Sequence, residues 1–273
     1  MTNPTDSVAH DQSNEVDVIA PRLTAGGAVV RDYQLLIETV DILTQKTIQY
    51  LGDLPFGYRR WMRRTLGAKM VATSKLLTSR PGRVTHLWQV PWSFSLSEMQ
   101  AALHEESRQS RWVSDMFSYV SHVSYDVLMP TFYDPGRCWV PVGADSCSCG
   151  LGKQVPANVD VGAYRIMDVI NVKPGRLDDL ADAKARHFVP EARAYGIELM
   201  ASGTRVAEPR RLVQVWSVPS VDSLVDAIKK FSELGWYNAM FQLDVESEDQ
   251  DLMVPSLHDP EATLNGDCWQ FPV

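Results

Sequence analysis

The chain has 273 residues, 45% hydrophobic and 22% charged, which is ample for a buried core and ordinary for a globular protein. A formal net charge of -8 argues against broad nucleic-acid binding, which needs a basic stripe to neutralise phosphates. No apolar run approaches the ~18 residues that span a bilayer, and the polar, acidic start MTNPTDSVAHDQSNEVD lacks the basic and apolar regions of a secretory signal. A cytoplasmic protein is therefore expected.

In chain order, residues 1–31 read as a disordered tail. A first unit is expected over 32–133. It opens with an extended run, Gln34 to Ile42, rich in Ile, Val and Tyr neighbours. A long first helical region follows and carries Arg59-Arg60-Trp61-Met62-Arg63-Arg64, a basic cluster read as a solvated helix face. Next come Met70 to Ser74, a strand from Arg83 to Pro91, an amphipathic stretch from Ser95 to Leu103, and Leu128 to Thr131.

The segment 134–160 is rich in Pro, Gly, Ser and Cys and reads as a linker. Cys147-Ser148-Cys149 is too tightly spaced for a C-x₂-C zinc knuckle, so Cys138, Cys147, Cys149 and Cys268 are expected as free thiols.

A second unit is expected over 161–257, with 258–273 as a C-terminal tail. Tyr164 to Val172 reads as a strand and Lys173-Pro174-Gly175 as a turn. Apolar residues at Leu177, Leu180, Ala181, Ala185 and Phe188 predict a helix from Arg176 that Gly196 closes. Ile197–Ala207 and Arg211–Val218 predict a hairpin turned by Glu208-Pro209-Arg210. Ser220 or Asp222 caps a helix running to about Leu234, and Phe241 to Val245 is expected as the last strand.

The two units match in order. Arg83 to Pro91 aligns with Arg211 to Pro219, which puts Trp88 on Trp216 and His86 on Gln214. Met70–Ser74 aligns with Leu199–Gly203, Trp112 with Trp236, and Leu128–Thr131 with Leu252–Ser256. Each unit then reads β-α-β-β-α-β, the ferredoxin-like order, with one sheet face left to cover. The expected fold is α+β: two tandem ferredoxin-like units packed sheet to sheet as an intramolecular dimeric α/β barrel.

Val161 to Ile166, then Val172-Lys173-Pro174-Gly175 and a helix, then Leu212 to Val218 and a Ser-Leu helix, resemble the NIPSNAP group of the dimeric α/β barrel superfamily. The resemblance covers about residues 33–257. The first copy departs from it, lacking the Lys-Pro-Gly turn and carrying a longer first helix. The superfamily hosts cofactor-free monooxygenases, lactone isomerases, polyketide cyclases, haem-degrading and haem-dependent enzymes, and proteins without a known reaction, so the resemblance implies a site location rather than a reaction. That location is the cleft between each sheet and its own helices.

Asp168 shares a strand face with Tyr164, Ile166 and Ile170, where a carboxylate is costly unless paired or protonated. Desolvation would suit it to general base work; a salt bridge to Arg165 or Arg205 is the structural alternative. Thr39 is its aligned residue in the first copy, with Asp41 two residues on. His86, beside Trp88, reads as an acid, base or hydrogen-bonded core residue. Trp88 and Trp216 read as core or as pocket walls, and Thr39 and Gln214 as polar contacts.

His104, His122 and His187 are the residues that could bind haem iron, with His122 the nearest to the end of the first copy's second helix. In haem-degrading relatives the resemblance implies a histidine where Trp112 and Trp236 stand, which lowers that reading.

The leading expectation is a cofactor-independent enzyme, a lyase, isomerase or cofactor-free monooxygenase, acting on a small, largely apolar or aromatic substrate. Asp168 is the base, His86 or Tyr164 the acid or donor, and Trp88 and Trp216 the walls. The alternatives are a haem protein and a non-catalytic interaction protein without buried ionisable residues. Neither nucleic acid nor membrane is expected as a partner, and a homo-oligomer is compatible with the fold.

Overall fold

The computed structural model describes residues 33–54, 57–77, 82–131, 133–134 and 164–256. The four cysteines lie outside them, as do both expected tails and nearly all of the linker, so the free-thiol expectation falls outside the described residues.

The first half runs β1 (Tyr33–Ile42), α1 (Thr47–Asp53), α2 (Tyr58–Leu66), β2 (Lys69–Leu76), β3 (Arg83–Pro91), α3 (Leu96–Gln109), α4 (Arg111–Phe117) and β4 (Val120–Pro130). The second runs β5 (Tyr164–Val172), α5 (Leu177–Ala183), α6 (Val189–Arg193), β6 (Glu198–Arg205), β7 (Arg211–Val218), α7 (Val221–Glu233), α8 (Gly235–Asp244) and β8 (Val245–Pro255).

The strands form one closed antiparallel barrel in the order β1-β3-β2-β8-β5-β7-β6-β4. The halves do more than face each other. Their edge strands pair, β2 with β8 through Ser74↔Pro255 and β4 with β6 through Leu128↔Arg205. Closure leaves no unpaired sheet edge. Leu35, Ile37, Leu87, Val169, Val213 and Val215 fill the interior. The alternate residues of the same strands, Leu36, Val40 and Trp88 in one half and Ile166, Ile170 and Trp216 in the other, point outward against the helices. Burial of both faces is why these strands read as nearly continuous apolar runs.

The predicted helix after Lys173-Pro174-Gly175 forms, but not as one regular rod. A π turn, Lys184–Phe188, separates α5 from α6. Gly196 closes it as expected: its φ is 71°, and Ile197 N–H reaches back to the Ala192 carbonyl at 3.1 Å. Ser220 caps α7, its Oγ accepting from Ser223 N–H at 3.0 Å.

The last strand starts later than expected. Phe241 belongs to α8, and β8 begins at Val245. The apolar alternation of Phe241, Leu243 and Val245 imitates a strand. Tyr237 and Phe241, one helical turn apart with rings 4.7 Å between centroids, show the period that wins. On α2 the basic cluster behaves as read: Tyr58, Trp61 and Met62 are buried while Arg60, Arg63 and Arg64 are exposed. No helix among the described residues is long and apolar enough to cross a membrane.

Candidate active site

Strand register brings four positions together in each half, beneath that half's helices. In the first, Glu38 lies opposite His86 on β3 and Tyr125 on β4, with Trp88 two residues beyond His86. In the second, Asp168 lies opposite Gln214 on β7 and Gln250 on β8, with Trp216 two residues beyond Gln214. The residue equivalent to Asp168 is therefore Glu38, and the expected match to Thr39 is one residue out. That slip sends the side chain to the other face. Thr39 faces the barrel interior and lines a cavity there, so it is not a contact of the cleft. Asp41 is taken by Arg83, whose Nε and Nη2 donate to it at 2.6 and 2.9 Å.

The first-half acid is satisfied. Glu38 Oε1 accepts from Tyr58 Oη at 2.8 Å and Oε2 from the Trp88 indole N–H at 3.0 Å, with Tyr125 a further donor. Burial nevertheless pushes its pKa to about 7. His86 is satisfied too: Nε2 lies 2.9 Å from Tyr50 Oη and Nδ1 2.8 Å from Thr73 Oγ1. Burial lowers its pKa to about 3, so it is neutral at physiological pH. His86 and Trp88 thus sit in the first half and Asp168 and Trp216 in the second, and the expected pairing of Asp168 with His86 does not occur.

The second half keeps the same frame and leaves it open. Burial raises Asp168 to about 7; the Lys184 ammonium pulls it down, Glu248 raises it further, and Trp216 and Gln250 favour its charged form. Yet Asp168 Oδ1, the Trp216 indole N–H and Gln214 Oε1 are all buried without a hydrogen-bond partner of ordinary geometry. The Trp216 indole still faces the Asp168 carboxylate closely enough to favour its charge, but aspartate, one methylene shorter than glutamate, does not make the well-formed bond that Glu38 makes to Trp88. Gln214 spends its amide on Tyr133 and Ser202 at 3.0 and 3.4 Å, leaving its carbonyl unused.

Lys184 continues the buried Leu180/Ala181 stripe of α5 and is the first residue of the π turn. It is 1% exposed, and its ammonium lies 4.2 Å from the centroid of the Phe188 ring. Burial lowers its pKa while Asp168 and Glu248 support its charge. No salt bridge closes between Lys184 and Asp168, so each remains able to act on a third group. Phe188, Tyr237 and Phe241, all half-buried, form an aromatic rim. A π turn rotates the following residues relative to an α-helical course and is frequent at functional sites.

Tyr164 is on the expected face but four residues from Asp168, about 13 Å along the strand, too far to act as its acid. Tyr237 of α8 is nearer; burial, Glu248 and Asp168 raise its pKa to about 12. The expected arginine partners are elsewhere. Arg165 points into the barrel and donates to Ser74 Oγ at 3.0 Å, and Arg205 pairs with Asp126 at 2.9 Å.

Among the described histidines, none but His86 faces a cleft, and both its ring nitrogens are engaged. His104 is exposed on α3, His187 is exposed with its ring 5.4 Å from that of Trp236, and His122 lies on β4 at the barrel cavity, not after a helix. The residues present do not fit an axial haem ligand in either cleft. Among the described residues no cluster of three or more His, Cys, Asp or Glu forms a metal site.

Two residues escaped the sequence reading. Glu38 was legible as an acid within Leu35-Leu36-Ile37-Glu38-Thr39-Val40, the pattern that singled out Asp168. Lys184 was legible as a cation on the Leu180/Ala181/Phe188 stripe of the predicted helix.

No family model and no curated protein matches the sequence. Solved structures do resemble it. A candidate monooxygenase from Lactobacillus acidophilus aligns over 82% of this chain and 94% of its own at 9% identity and a TM-score of 0.53. A second, from Fusobacterium nucleatum, aligns over 83% and 94% at 8% identity and a TM-score of 0.51. A NIPSNAP family protein from Agrobacterium tumefaciens aligns over 36% of this chain and 97% of its own at 13% identity and a TM-score of 0.32. The chain has the dimeric α/β barrel fold.

Proposed function

We propose that the second-half cleft is the active site of a cofactor-independent proton-transfer enzyme acting on a small, largely apolar molecule that carries a carbonyl or phenolic oxygen. One observation carries this reading: a buried acid with a pKa of about 7 faces an indole N–H that has no partner of ordinary geometry and an ammonium that closes no salt bridge with it. As its carboxylate, Asp168 removes a proton from a C–H or O–H of the substrate. The electron pair moves onto the substrate oxygen, where Trp216 N–H and Lys184 stabilise the developing charge. Phe188, Tyr237 and Phe241 give way to admit the substrate and exclude water once it is bound.

This first step is common to isomerisation, elimination, cyclisation and cofactor-free oxygenation, and the residues described here perform the same task in each. The matching frame in the first half supports reading the two halves as copies of one unit, of which the first has become structural. A non-catalytic interaction protein would have no reason to bury Asp168 and Lys184 at this cost.

A general probe tests the reading. 5-Nitrobenzisoxazole opens to a coloured phenolate when a base removes its ring C–H proton. The protein is expected to open it with a rate that rises through about pH 7, and Asp168→Asn to lower that rate by roughly 10²–10⁴ while staying folded. No opening above background, or opening unchanged in Asp168→Asn, sinks the proposal.

A further inference from the structure

Away from both clefts, α7 carries an apolar line on its outer surface. Its inner face is ordinary: Ala227 and Phe231 are buried in the core beneath the helix. Val221, Val225 and Ile228 are not. They are 45%, 41% and 50% exposed, and their i, i+4, i+7 spacing sets them in one row along the helix. Half-buried Leu224 borders the row on the side of the core.

The first half shows that the fold does not require this row. In α3 the buried pair is Met99 and Leu103, which matches Ala227 and Phe231 at the same offset that sets Trp88 on Trp216. The places of Val225 and Ile228 are then taken by Ser97 and Gln100, both exposed and polar. Scattered exposed apolar side chains need no explanation. Three in a row on one helix, with polar residues at the equivalent places of its sister helix, mark a docking face.

The charges beside the row indicate what docks. Asp222 and Lys229 lie seven residues apart and so on one flank of it, near its two ends. Lys230 is held by Glu233 at 3.6 Å, whereas Asp222 and Lys229 close no ion pair among the described residues. The helix dipole accounts for an acid in the first turn but not for the apolar row beside it. Two copies of such a helix, packed antiparallel with Val225 at the two-fold axis, bring the same flanks together. Asp222 of each then reaches the partner's Lys229, and the apolar rows cover one another.

We infer that α7 is the surface on which this chain binds a second copy of itself, as an antiparallel, two-fold helix pair. A helix of 13 residues is about 20 Å long. Two of them bury less than the roughly 1,200–2,000 Å² of a stable complex, so the dimer is reversible, with a Kd on the order of 10–100 µM. It does not depend on the chemistry proposed for the second-half cleft.

Sedimentation equilibrium of the full chain from about 2 to about 500 µM tests this. The apparent mass is expected to climb from 30.6 kDa towards twice that value. Val225→Ser with Ile228→Gln installs the first half's residues at exposed positions, so folding is not at stake, and is expected to weaken association at least about tenfold. Asp222→Lys and Lys229→Asp each set like charges against one another across the axis, and each is expected to weaken self-association by about tenfold. Mixed in equal amounts, the two single variants restore opposite charges and are expected to regain the parental association. A chain that stays monomeric at about 500 µM, a dimer indifferent to Val225→Ser with Ile228→Gln, or a mixture no more associated than its components would overturn the inference.

Discussion

Glu38 and Asp168 hold the same register in the two halves, but Glu38 makes a well-formed hydrogen bond to the tryptophan beside it and Asp168 does not. Trp88 N–H donates to Glu38 at 3.0 Å, whereas Trp216 N–H and Asp168 Oδ1 are both buried without a partner of ordinary geometry. One methylene separates a filled polar site from an open one. An unmade buried hydrogen bond costs about 1–3 kcal/mol per group, so the open arrangement is a burden unless a ligand uses it.

Restoring the methylene should close the site. In Asp168→Glu the longer carboxylate is expected to bond Trp216 N–H as Glu38 bonds Trp88. Thermal stability should then rise by about 1–2 kcal/mol and opening of 5-nitrobenzisoxazole fall at least about tenfold. A variant more active than the parent would show that the gap is not where the substrate is held.

Ionisation of Asp168 gives stability a pH signature. Its folded pKa of about 7 lies above the ordinary 3.8, so between these values the folded state binds more proton than the unfolded one. Stability therefore falls as pH rises from about 4 to about 7 and is level above. Asp168→Asn removes this cost, and its advantage over the parent should grow by on the order of 2 kcal/mol between pH 5 and pH 8. Glu38 and His86 titrate in both proteins and cancel from the difference. An advantage independent of pH, read from urea midpoints, would mean that Asp168 is not buried as described.

Lys184 stabilises the Asp168 carboxylate through its charge. Lys184→Met should move the rising limb of the pH–rate profile to higher pH and lower the plateau by on the order of 10²-fold through loss of oxyanion stabilisation. Replacing a buried ammonium by an apolar chain of similar size should leave stability unchanged or raise it. An unshifted limb would separate Lys184 from the site.

The first half should answer differently. Glu38→Ala strands the Tyr58 hydroxyl and the Trp88 indole N–H, and is expected to cost on the order of 3–5 kcal/mol in urea unfolding. Proton transfer per folded molecule should stay at the parental level. A drop in turnover without loss of stability would move the active site to the first half.

Much of the fold was legible in the chain itself. Strands buried on both faces need apolar residues at nearly every position, and Leu35–Ile37 and Leu212–Val218 have them. The repeated Trp88 and Trp216 fall on the third strand of each half, which fixed the β3/β7 correspondence correctly. The same alignment failed on β1, where Glu38 and Thr39 are neighbours and apolar residues on both faces hide which parity faces the helices.

The sequence by itself determined the composition of the site: an acid in each half, a tryptophan in each half, and a lysine on an apolar helix stripe. These follow from local pattern, because burial selects residue types along a strand or helix whatever the partner. The tertiary structure alone decided which of them meet. Register placed Asp168 against Gln214 and Trp216 instead of His86, and the packing of the helix after β5 over the sheet set Lys184 beside Asp168. Closure of the two sheets into one barrel made the interior cavity. These outcomes depend on pairing between segments far apart in the chain and on differences as small as one methylene, quantities that a linear pattern of apolar and polar residues does not contain.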